Sequence, residues 1–113
     1  MRIILESLFE PTFSDFSHGF RPNRGCHSCL KDVRKNFSQS VWVIETDNKA
    51  CFDSIDHALL LETVQRRIRD QRFLNLIAKS LKAGYGENRG TIQANIIGTP
   101  QGSVISPILF NIF

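Results

Sequence analysis

The stretch Val41-Trp42-Val43-Ile44-Glu45-Thr46-Asp47 decides the fold class, because it is the best strand candidate in a chain otherwise patterned for helices and loops. It is β-branched and aromatic, and at first apolar on both alternating faces, which suits a strand covered on both sides. Upstream, Ile3, Ile4, Leu5, Leu8 and Phe9 read as the tail of an apolar helix stopped by Pro11, and residues 12–25 are rich in loop formers. Cys26 to Phe37 has helical spacing through Leu30, Val33 and Phe37, with Lys31, Arg34 and Lys35 outside. A helix from about Asp56 to Arg69 turns Leu60, Leu61, Val64 and Ile68 inward. Asp70 then suits the N-cap of a helix over Phe73 to Ala83, closed by Gly84. Tyr85 to Ile97 reads as a hairpin or extended loop, and another apolar helix starts at Ser103. The expectation is an α+β chain, mainly helices packed on a small, unfinished antiparallel sheet.

Its 113 residues make one domain at most, and 42% hydrophobic with 22% charged residues is an ordinary globular balance. A net charge of +3 leans weakly toward acidic partners such as nucleic acid. No apolar run reaches the roughly 18–20 residues of a membrane span. The start, Met1 to Leu8, resembles neither a signal nor a transit peptide, so the chain is either made where it works or does not begin at a natural start. Three cysteines are too few and odd in number for a disulfide framework. Cys26 and Cys29, with His18 and His27 nearby, suggest a metal. A tetrahedral site wants a second pair, however, and two small residues one turn apart on a helix is the simpler reading.

Four segments can carry chemistry. In Thr46 to His57, Asp47 ends the candidate strand, where a carboxylate can meet a divalent cation; Mg²⁺ takes one or two carboxylates, water and substrate phosphates. The alternative is an Asp that caps the next turn. Asp53 and Asp56 sit where helix capping explains them, and His57 reads as a hydrogen-bonding or packing residue. In Gly98-Thr99-Pro100-Gln101-Gly102, glycines around Gln101 permit close approach of another molecule; the alternative is a turn leading into a helix. Absence of a Walker lysine excludes that type of nucleotide hydrolysis. In Ser17 to His27, Arg21 and Arg24 can touch a phosphate backbone, or the loop can simply be held by its phenylalanine and a buried Arg. The basic set Arg66, Arg67, Arg69, Arg72, Lys79 and Lys82 is explained mostly as a solvated helix face.

Together, these segments resemble group II intron-encoded reverse transcriptase/maturases. FSHGFRPNRG, residues 16–25, looks like their SxGFRPxR signature. DNKACFDSIDH, residues 47–57, is similar to their palm motif DIKGCFDxIDH, and GTPQGSVISP, residues 98–107, matches GTPQGGxxSP. RFLNLIAKSLKAGY, residues 72–85, resembles the helix between them. The resemblance implies that residues 1–113 are a fingers/palm portion ending before the YADD hairpin, which supplies the remaining catalytic carboxylates. It implies Asp47 as a catalytic Mg²⁺ ligand and Phe52 as the aromatic under the incoming sugar that selects deoxynucleotides. Gln101 would contact the incoming nucleotide or the template-primer, and Arg21 and Arg24 would lie in a loop near the nucleic acid. Three positions depart from the pattern: Asn48, Ala50 and Ser103, the last two where Gly is usual.

The implied activity is deoxynucleotide addition to a primer on an RNA template through two Mg²⁺ ions. One carboxylate cannot hold two such ions against water, so the isolated chain is expected to be inactive unless a second polypeptide supplies the rest of the palm and thumb. Implied partners are RNA template or intron RNA, DNA primer and dNTP, with no membrane. The implied location is a mitochondrion or other organelle, or a bacterial cytoplasm. Two further readings are a non-enzymatic maturase remnant that binds intron RNA, and an unstable relic, since an unpaired strand edge favours aggregation.

Overall fold

The computed structural model describes residues 1–83, 97–99 and 103–113, together with two backbone pairs between them, Tyr85–Gly86 and Ile92–Gln93. The elements begin with α1 (Arg2–Phe9), a 3₁₀ turn (Glu10–Thr12), α2 (Cys26–Asn36), α3 (His57–Gln65) and α4 (Gln71–Lys82). The two-residue strands β1 (Tyr85–Gly86) and β2 (Ile92–Gln93) follow, then α5 (Ser106–Ile112).

The helix boundaries have local causes. Pro11 sits in the first turn of the 3₁₀ segment that follows α1, where its missing N–H costs nothing. Asp56 caps α3 by accepting from the N–H groups of Ala58 and Leu59. Asp70 does the same for α4 through Arg72 and Phe73. At α2, the Ser28 hydroxyl accepts from the Gly25 N–H at 2.9 Å and donates to the Gly25 carbonyl, the reciprocal half of a capping box. Pro107 occupies the first turn of α5.

α1, α3, α4 and α5 bury one core: Leu5 and Phe9, Ile55, Leu60 and Val64, Ile68, Leu74, Ile77 and Leu81, then Ile108, Leu109 and Ile112. α3 lies against both α4 and α5, and α5 also meets α1. The Leu60, Val64 and Ile68 row follows the helical period, with Leu61 half-buried beside it.

Outside this core the expectation fails. Helices packed on an antiparallel sheet are not found: residues 42–48 carry no regular secondary structure, and residues 41–50 are all exposed. The described ladder is limited to Tyr85 opposite Gln93 and Gly86 opposite Ile92, and no contact between it and a helix occurs among the described residues. A strand needs a neighbour to take its N–H and C=O groups and a layer to cover its side chains. Residues 41–47 have the side chains of a strand, but nothing among the described residues provides either, so the described architecture is helical. α2 departs in the same way. Its helix forms where the spacing predicts, but Leu30, Val33 and Phe37 are exposed instead of inward, and among the described residues α2 meets no other helix. A radius of gyration of 16.7 Å, against about 13 Å for a compact chain of this length, fits that picture. The expected closure of α4 by Gly84 lies outside the described residues.

Candidate nucleotide site and nucleic-acid interface

Two of the chemistry-bearing segments meet. After Asp47 the chain turns at residues 49–54, with the N–H groups of Asp53 and Ser54 both donating to the Ala50 carbonyl at 3.0 Å. This turn receives the start of the 98–102 loop. The Gly98 N–H donates to the Ile55 carbonyl at 2.9 Å and the Thr99 N–H to the Phe52 carbonyl at 2.7 Å. The His57 Nε2 lies 2.5 Å from the Gly98 carbonyl oxygen.

Gly98 has φ +84°, and a Cβ there would stand 2.7 Å from the Asp53 Cα and from the carbonyl oxygens of Asp53 and Phe52. Backbone cannot yield as a flexible side chain can, so only glycine fits this contact. Ile55, fully buried, anchors the turn to the core. Phe52 is half-buried, its ring 5.2 Å from that of Phe110 on α5 and tilted at 45°. The Thr99 side chain is buried, and its hydroxyl has no hydrogen-bond partner among the described residues.

Asp47 lies outside this clamp. It is exposed, in the irregular segment 42–48, and no three metal-ligating side chains gather among the described residues. By themselves the described residues therefore do not form a magnesium cage; Asp47 offers one carboxylate. Gln101 lies outside the described residues. Asp56 caps α3 as expected, whereas the backbone of Asp53 forms the wall against Gly98.

The loop over residues 13–25 is organised from within. Arg21 is buried. Its Nε and Nη2 donate to Glu10 Oε1 at 3.0 and 2.9 Å, and its Nη1 donates to the carbonyls of Ser14 and Ser17 at 2.5 and 2.8 Å. Its guanidinium also lies over the Phe13 ring. Arg24 is more open and binds the Asp15 carbonyl and carboxylate. Asn111 of α5 donates to the Gly19 carbonyl at 2.9 Å, tying the loop to the core. His18 has both ring nitrogens engaged, with Ser28 Oγ at 2.9 Å and Asp32 Oδ2 at 3.2 Å, while Cys26 is exposed.

Gly98 and Thr99 thus form one unit with the Phe52 to His57 stretch, within motifs whose order and spacing suggested a polymerase palm. The family described as reverse transcriptase (RNA-dependent DNA polymerase) matches residues 2–113. The chain belongs to that family. Members of this family use divalent metal ions and act on a nucleic-acid template and primer. Among its relatives is a 91 kDa protein in the cob intron of Schizosaccharomyces pombe, 54% identical over 114 residues, covering 100% of this chain and 14% of that protein. The group II intron-encoded protein LtrA of Lactococcus lactis subsp. cremoris is 49% identical over 113 residues, covering 100% of this chain and 19% of LtrA. Nuclear intron maturase 1, mitochondrial, of Arabidopsis thaliana is 38% identical over 80 residues, 71% of this chain and 11% of the maturase. The chain therefore spans about a fifth or less of these relatives. No helix among the described residues is long and apolar enough to cross a membrane.

The residue that sequence reasoning underrated is His57. Its partner is 41 residues away, so no local pattern reveals the bond. The available signal was that both residues belong to motifs of the same family.

Proposed function

We propose that this chain is the fingers/palm portion of a group II intron-type reverse transcriptase, and that it takes part in adding deoxynucleotides to a primer on an RNA template. The observation that carries the reading is the clamp of Gly98 and Thr99 onto the Phe52 to Ile55 turn, which makes one surface from two motifs far apart in sequence. On that surface Phe52 lies under the incoming sugar, and Gln101 contacts the nucleotide or the template-primer. Asp47 supplies one carboxylate of a divalent-metal site whose other ligands come from outside the described residues. Arg24 is the more open of the two loop arginines and reaches toward a phosphate backbone, while Arg21 contributes by holding the loop in shape. The exposed run 41–46 is the surface on which the rest of the palm, in the same chain or a second polypeptide, completes the site. By itself the chain does not polymerise. Relatives named for mitochondria and from a bacterium support an organelle or a bacterial cell as the location.

Primer extension with Mg²⁺ on an RNA template tests this. The isolated chain is compared with a graft in which it replaces the corresponding segment of an active group II intron-encoded reverse transcriptase. The graft is expected to extend primers, and Asp47→Ala to lower that rate by roughly 10³-fold, the scale of losing one electrostatic stabiliser of the transition state. The isolated chain is expected to give no product. A folded graft without activity, or full activity after Asp47→Ala, refutes the reading. A second reading, intron-RNA binding without polymerisation, draws on the likeness to an intron maturase. Intron-RNA binding by the isolated chain, with an inactive graft, selects it.

A further inference from the structure

We infer that His57 is a positioning residue for nucleotide selection, because its Nε2–H fixes the carbonyl of Gly98 and so sets where Gly98 and Thr99 stand against Phe52. The inference rests on the nucleotide-site reading above and names the side chain that determines the site's shape.

A carbonyl oxygen only accepts, so the 2.5 Å contact requires a proton on Nε2. The backbone bonds complete the restraint. Gly98 is held through its N–H by Ile55 and through its carbonyl by His57, and the next N–H, that of Thr99, is held by Phe52. With φ at +84° and backbone atoms 2.7 Å from where a Cβ would stand, Gly98 has no slack in the direction of the turn. These three bonds therefore hold Gly98 and Thr99 in one register against the Phe52 to Ile55 turn.

Of the three donors, only His57 contributes a side chain, and only its bond is open to substitution without changing the backbone. The imidazole also has a rigid mount. His57 is the first residue of α3, next to the Asp56 cap, and α3 is fixed by the fully buried Ile55 and Leu60 on either side. Gly98 and Thr99 are thereby referenced to the core helices and not to the exposed segment 42–48 that bears Asp47. Loosening this latch changes how the turn that carries Phe52 is held beneath a nucleotide while leaving the Asp47 carboxylate untouched. The effect belongs in nucleotide affinity and sugar discrimination, not in the chemical step.

The test uses the graft on poly(rA)/oligo(dT), with dTTP and UTP as competing nucleotides. His57→Phe keeps a ring but removes the donor, whereas His57→Gln places an amide N–H at similar reach. His57→Phe is expected to raise the dTTP KM about tenfold, the scale of one lost hydrogen bond, with kcat within about twofold and a lower preference for dTTP over UTP. His57→Gln should stay within about threefold of wild type on both measures. A His57→Phe graft with wild-type KM and preference overturns the inference and leaves the polymerase reading standing. Equal loss of kcat in both variants at unchanged KM marks a purely structural histidine and also overturns it. A wild-type graft that never extends a primer defeats both. Independently of activity, the ¹⁵N spectrum of the isolated chain must show a proton on Nε2 of His57; a bare Nε2 overturns the latch, including where His57→Phe fails to fold.

Discussion

The four-helix core and the segment from α2 to residue 50 draw on the same kinds of side chain and meet opposite fates. In the core, the apolar stripes of α1, α3, α4 and α5 face one another, and residues such as Leu60, Ile77 and Leu109 are fully buried. In the other segment, Trp42 and Ile44 are 88% and 90% exposed, and α2 buries no residue. Hydrophobicity is therefore not what separates the two regions. Helices meet their own backbone hydrogen bonds and need only a neighbouring face, which the core helices give one another. A strand needs partners for its backbone and layers on both sides, and the described residues supply neither to residues 41–47. The clamp at Gly98 belongs to the first region; the carboxylate at Asp47 belongs to the second.

Truncation separates the two regions most sharply. Leu60→Ala should destabilise the isolated chain by about 2–5 kcal/mol in denaturant unfolding, through lost burial and the cavity left behind. Trp42→Ala, although it removes a larger side chain, should change stability by less than about 0.5 kcal/mol. Equal losses would mean that residues 41–44 are buried in solution, and the contrast would collapse. A somewhat smaller effect is expected at the junction. Gly98→Ala forces a side chain into backbone at a positive φ, and should cost roughly 2–4 kcal/mol or release the loop from the Phe52 turn. Release without destabilisation would show the loop to be only loosely tied to the core.

The last change should be favourable. Ala50 adopts φ +51°, a left-handed conformation that an alanine Cβ opposes. Ala50→Gly should stabilise the chain by about 1 kcal/mol. A destabilised variant would mean that the turn is not held in this conformation.

The legibility of the chain follows the range of the interactions. Both aspartate caps, the α1 stop near Pro11 and the Leu60, Val64, Ile68 stripe were readable because each depends on residues within a few positions. The β-branched and aromatic side chains of 41–47 led to a strand that the described residues do not form, since pairing is decided at long range. At the site, Phe52 and the 98–102 loop were found as motifs, whereas their mutual hydrogen bonds and the His57 latch span more than 40 residues and leave no local trace. Arg21 shows a third case. Its residue type suited a phosphate contact and a buried loop organiser alike, and only the positions of Glu10, Ser14 and Ser17 reveal its engagement within the chain.

The clamp is most directly tested by amide hydrogen exchange in the isolated chain. The Gly98 and Thr99 amides, bonded to Ile55 and Phe52, should be protected to a degree comparable with the Val64 amide inside α3, while the amides of residues 42–48 exchange freely. Exchange at Gly98 and Thr99 as fast as that of residues 42–48 would contradict it, because the two motifs would then not be joined in solution.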